Sequence, residues 1–192
     1  MYNTSQNPQV RYSLLQLTKS LFFYLQSKPL RDVTVTQICQ RAGLTRRTFY
    51  RNCRQKEDLV LYACDWLVER LVASVDYTSP DARAMYRHFF GYWYDHRIFL
   101  RCIYRCGLFD LFAGRFVSIC NSGVRFPLQD EALGKQPNPE TMRRFNNSFL
   151  LGGLTRMLYA WAEEDFCSSV EDLINSILFL LPREYLREDD AE

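Results

Sequence analysis

The most constraining feature of this chain is the punctuation between residues 29 and 56, where capping and turn residues fall so close together that only short helices fit between them. Lys28-Pro29 stops the segment before it, because the residue preceding a proline is pushed out of the α region. Thr34-Val35-Thr36-Gln37 reads as a capping box, in which the Thr34 hydroxyl and the Gln37 amide each satisfy an orphan backbone N–H. The helix it opens carries Ile38 and Ala42. Gly43 closes that helix, since glycine takes a left-handed conformation without steric cost, and Leu44 tucks beneath the bend. Thr45 opens a third helix at once, running to Asn52. Its polar face is Arg46, Arg47, Tyr50 and Arg51, while Phe49 points inward with Ile38 and Ala42. Two short helices joined this way read as a helix-turn-helix.

The flanks are longer and simpler. Val10, Leu14, Leu17, Leu21 and Leu25 recur every three or four residues and predict a first helix from about Gln9 to Ser27. From Lys56 the spacing of Leu59, Ala63, Leu67 and Leu71 predicts a long fourth helix linking head to body. Ser79-Pro80-Asp81 caps a fifth. Further helices are predicted over Ile98–Cys106, ended by Gly107, and Leu108–Ser122, ended by Gly123. A loop then runs from Val124 to Pro139. The last two helices are predicted over Glu140–Trp161 and Ser169–Leu181, the second opened by a Ser168-x-x-Glu171 capping box and stopped by Pro182. With 8 Gly and 7 Pro in 192 residues, breakers are too few for a turn-rich β architecture, and the expected fold class is all-α.

Charge divides the chain. Residues 1–60 hold ten Lys and Arg against three acids, a net of +7, so the overall +2 leaves −5 on the remainder. A basic head on an acidic body suits a polyanionic partner, with a solvated basic face as the plainer alternative. No apolar run approaches the length of a membrane span, which predicts no membrane partner. The polar first dozen residues carry no export signal, and seven cysteines without CxxC pairs suit free thiols in a reducing cytoplasm.

The head resembles the TetR/AcrR family of transcriptional regulators. The matching residues are Thr34-Val35 with Ile38, Ala42-Gly43-Leu44-Thr45, Thr48-Phe49-Tyr50-Arg51 and Lys56-Glu57-Asp58-Leu59, in register over about residues 9–60. Phe90-x-Tyr92-Trp93-Tyr94-x-His96-Arg97 and the stretch from Gly152-Gly153-Leu154 to Trp161 look like one C-terminal subtype of that family. Two positions depart from the pattern: Cys53 stands where the family usually has Phe, and Asn52 where His is common. The resemblance implies a three-helix DNA-binding head, residues 1–56, and a helical effector-binding and dimerisation body, residues 57–192. It further implies a homodimer on a palindromic operator, expected to be a repressor released by a small molecule.

On this reading the DNA-binding residues are Thr34, Thr45, Arg46, Arg47, Thr48, Tyr50, Arg51, Asn52 and Lys56. Arg46 or Arg47 is expected to read a base edge, while Tyr50, Asn52 and Lys56 touch phosphates. Phe89, Tyr92, Trp93, Tyr104, Phe109 and Phe112 are the candidate walls of a pocket for an apolar or aromatic effector, although aromatic stripes are mostly core. Phe149, Gly152, Gly153, Met157, Leu173, Ile177, Leu178 and Leu181 are the candidate dimer interface, forming a four-helix bundle from two chains. Cys102 and Cys106, with His96 upstream, have a spacing that a metal or thiol sensor could use, but buried free cysteine is commoner, so neither a metal site nor a cofactor is expected. No GxSxG, phosphate loop or HExxH appears, so catalysis is not expected. The rival class is a helical interaction protein of the same fold whose body binds a protein partner, with DNA contact secondary.

Overall fold

The computed structural model describes residues 1–76, 81–123 and 137–180. Among them the chain is all-helical, with helices α1 (Pro8–Leu25), α2 (Val35–Ala42), α3 (Arg46–Asn52), α4 (Glu57–Ser74), α5 (Ala82–Asp95), α6 (Arg97–Arg105), α7 (Phe109–Gly123), α8 (Pro139–Glu163) and α9 (Val170–Leu180). No helix among these residues is long and apolar enough to cross a membrane. The expected Ser79-Pro80 start, most of the loop after α7, Leu181 and Pro182 lie outside the described residues.

α1 begins where Asn7 accepts from the Gln9 N–H at 2.9 Å and Pro8 fills the first position, a site that needs no donor. Leu14, Leu17, Leu21 and Leu25 are buried along it, as their spacing requires, and Val10 is half-buried. Against them pack α2 and α3, with Ile38, Cys39, Phe49 and Cys53 completing the head's core. A fully buried aromatic such as Phe49 contributes about 1.5–3 kcal/mol.

The turn between α2 and α3 forms as the sequence dictates. Gly43 has φ 64°, the Leu44 N–H donates to the Cys39 carbonyl at 3.0 Å, and the Gly43 N–H donates to Gln40 at 3.3 Å. These bonds satisfy carbonyls at the end of α2 while reversing the chain. The Thr34–Gln37 box is present in both directions, and Thr45 caps α3 through the Thr48 N–H at 3.1 Å.

α4 runs from head to body, packing on α1 and on α7, and the apolar core is continuous along it. Gly107, φ 65°, separates α6 from α7. α7 packs on α4 and α8, while α9 lies on α5. The start of α9 differs from the expected box by one residue. Ser169 and Asp172 cap it reciprocally, with Asp172 N–H to Ser169 Oγ at 3.1 Å and Ser169 N–H to Asp172 Oδ2 at 3.0 Å. Glu171 instead accepts from Arg87 at 2.8 Å and Arg83 at 3.4 Å, fastening α9 to α5. Hydrogen bonding from Arg87 holds the Glu171 carboxyl below its usual range.

Candidate nucleic-acid interface

α3 is a short helix with one buried and one exposed face. Phe49 anchors the buried face and leaves Arg46, Arg47, Tyr50 and Arg51 in solvent, Tyr50 at 53% exposure. The Arg46 guanidinium lies 5.9 Å from the Tyr50 ring centroid, a loose cation–π contact. Arg46 and Arg47 occupy the first turn of α3, which contains no acid. Cations there oppose the helix dipole by a few tenths of a kcal/mol or more, so folding alone gives no reason to place two of them there. Arg41, Arg51 and Arg54 add exposed charge nearby in sequence, and none of these five arginines forms an ion pair among the described residues.

Three threonines of the candidate set serve the backbone first. Thr34 and Thr45 are exposed N-caps, and the half-buried Thr48 hydroxyl sits 3.0 Å from that of Thr45. Their job here is to hold the ends of α2 and α3, which sets the aim of the arginines.

Two expected phosphate contacts take other roles. Asn52 is 2% exposed; its amide donates to the Thr48 carbonyl at 2.9 Å and its side-chain oxygen faces the Asn3 amide at 3.4 Å. That side chain is enclosed and cannot reach a phosphate as placed. Lys56 is half-buried and points back into the head, its Nζ donating to the carbonyls of Leu30 at 2.6 Å, Val33 at 2.9 Å and Arg31 at 3.2 Å. All three ammonium protons are thereby used. Lys56 ties the start of α4 to the turn leading into α2.

In the body, the aromatic residues expected to line a pocket mostly pack on one another. Trp93 and Phe112 are fully buried with centroids 5.1 Å apart, and Phe109 meets Phe112 at 5.3 Å and Tyr159 at 5.2 Å. The Tyr92 hydroxyl donates to the Leu67 carbonyl at 2.7 Å, and Tyr104 donates to Glu163 at 3.3 Å. Of the six, only Phe89 lines the partly open apolar cavity of about 50 Å³ between α4, α5, α7 and α8, alongside Leu71, Met85, Phe116 and Leu154.

The candidate dimer residues also divide. Phe149 is 86% exposed, and Gly152 and Gly153 are exposed, with open space for 4 Å around the position a Cβ would take. Met157 and Leu173 are half-buried. Ile177, at 9% exposure, and Leu178 are covered within the chain on a helix that packs against α5. Also exposed are Met142 and Phe145 on α8 and Phe179 and Leu180 on α9.

Cys102 is buried, which pushes its thiol up to about 11, and Cys106 is raised for the same reason. Protonated thiols are poor ligands and poor sensors. No cluster of three His, Cys, Asp or Glu suited to a metal occurs among the described residues.

One polar group with no signal in the sequence joins arm, linker and body. Asp65 on α4 is buried; Arg115 on α7 grips its two carboxylate oxygens, one of them at 2.7 Å, and the Tyr2 hydroxyl donates to it as well. Burial and the bond to Asp65 raise the Tyr2 phenol. No family model and no curated protein matches this chain.

Proposed function

We propose that this protein is a DNA-binding transcriptional regulator of the TetR/AcrR kind, a repressor that grips a palindromic operator as a homodimer through a helix-turn-helix head. The observation that carries this reading is the first turn of α3, where Arg46 and Arg47 stand exposed and unpaired against the helix dipole. Arginine there reaches guanine O6 and N7 bidentately when the helix enters a major groove. Tyr50 and Arg51 flank the edge readers and suit phosphates.

The body supplies the switch. A cavity of about 50 Å³ accepts only a few atoms, so a larger apolar effector enters by moving α4, α5, α7 or α8 apart. An effector that fits only the opened arrangement shifts the equilibrium between two head positions, because α4 is shared by cavity and head. Exposed Phe145, Phe149, Phe179 and Leu180 supply apolar surface for a second copy. The same surface favours the second reading, a body that docks a different protein.

Selection of bound sequences from a random duplex pool tests the reading, combined with the salt dependence of binding. A regulator neutralising several phosphates selects a two-fold symmetric sequence and loses affinity steeply between ~50 and ~200 mM salt. A flat salt response with no selected sequence favours the protein-docking reading.

A further inference from the structure

A second cavity lies at the joint between α1 and the body. It is a groove of about 290 Å³ between α1, α4 and the α5–α6 junction, with apolar walls that include Leu15, Phe22, Trp66, Leu67 and Phe99. Three polar groups in its lining have no partner of their own. Thr18 is 8% exposed and its hydroxyl oxygen, enclosed beneath the groove wall, makes no hydrogen bond, an arrangement that costs free energy. Lys19 on α1 and Asp95 at the end of α5 are exposed, and neither pairs with an opposite charge among the described residues. His96, also in the lining, is occupied on one side, its Nδ1 donating to the Tyr92 carbonyl at 2.8 Å.

We propose that this groove binds a small zwitterion with an apolar side chain, an α-amino acid of the phenylalanine or leucine type. Its carboxylate meets Lys19, its ammonium meets Asp95, and its side chain lies on Phe22, Trp66 and Phe99. Both charges of the ligand are needed because the lining carries one of each sign: a simple acid leaves Asp95 facing an anion, and a simple amine leaves Lys19 facing a cation. The volume sits at the lower end of small-molecule sites, roughly 300–1,000 Å³, which suits a single amino acid and not a peptide. The assignment stands on the chemistry of the groove and not on the DNA-binding reading, so either can fail alone.

The test uses the full chain with L-phenylalanine and L-leucine, followed by calorimetry and by tryptophan fluorescence. Saturable binding is expected, with 3-phenylpropionate and phenethylamine each weaker by about fivefold, the upper range for one exposed ion pair. Lys19→Glu lowers phenylalanine affinity by at least that factor and leaves the melting temperature unchanged. Trp66→Phe keeps calorimetric binding but reduces the fluorescence change, placing the ligand against that wall. The proposal is overturned if neither amino acid binds saturably, or if 3-phenylpropionate binds as tightly as phenylalanine.

Discussion

Arg47 and Lys56 show how far the role of a cation depends on what its charged end touches. Arg47 is exposed and unpaired, so Arg47→Ala is expected to leave stability within about 0.5 kcal/mol of the parent. On the proposed function it weakens specific duplex binding by about 1–3 kcal/mol and relaxes preference at one operator position, read by anisotropy and repeat selection. If affinity and preference are both unchanged, α3 is not the reading helix. Lys56 behaves in the opposite way, because its ammonium is spent on three carbonyls of the turn before α2. Lys56→Met is expected to lower stability by about 1.5–3 kcal/mol, the range for hydrogen bonds to a charged group, measured by chemical denaturation. The salt slope of duplex binding should then stay as in the parent; a slope reduced by about one would mean that Lys56 leaves the carbonyls for a phosphate.

At the scale of elements, the two adjacent serines before α9, one expected from the sequence to cap it and one that does, separate local from tertiary information. Ser169→Ala removes the acceptor of the Asp172 N–H and is expected to cost about 1 kcal/mol, while Ser168→Ala changes stability little, since the carbonyl that accepts from Trp161 Nε1 at 2.9 Å belongs to the backbone. Equal melting temperatures for the two variants would overturn this capping assignment. The sequence permits either box, Ser168 with Glu171 or Ser169 with Asp172. The choice falls to the second because Glu171 is drawn to Arg83 and Arg87, side chains some 84–88 residues away in the chain. The α2–Gly43–α3 unit was legible for the converse reason: each of its bonds joins residues three to five apart, so their identities suffice. Nothing comparable marks the turn after α8. Asp165 and Phe166 both have positive φ, 57° and 63°, without a glycine, and are held by the Phe166 N–H to Trp161 carbonyl bond at 2.8 Å and by Arg101 on Asp165 at 2.6 Å. The Asp65–Arg115–Tyr2 group was equally hidden, its members being 50 and 63 residues apart. In the body the sequence offers Trp93 and Phe112 as candidate pocket walls, but whether an aromatic side chain meets a cavity or another ring is decided only by the packing of whole helices.

The whole molecule turns on whether a second copy covers the outer face of α8. Phe145 and Phe149 are four residues apart and therefore share one side of the helix, and the bare Gly152-Gly153 backbone lies a turn further on. This strip is apolar, exposed and open to close approach, whereas Ile177 is already covered within its own chain. Two glutamate substitutions should therefore fail differently. Ile177→Glu places a charge without a partner in the α5–α9 contact and is expected to lower the stability of each chain by about 3 kcal/mol or more. Phe149→Glu leaves the helix and its core contacts in place, so the chain should remain helical with a melting temperature governed only by any loss of association. In a two-fold interface the same substitution occurs on both sides, and two glutamates brought together repel in addition to the lost apolar burial. On the proposed homodimer, the dissociation constant should rise at least tenfold, a change of about 1.4 kcal/mol. Sedimentation velocity over a range of concentrations, with circular dichroism on the same samples, separates the outcomes. A folded Phe149→Glu monomer that also binds duplex more weakly would tie dimerisation to the head. A Phe149→Glu dimer as tight as the parent would move the interface off this face of α8 and return these phenylalanines to the docking of a different protein.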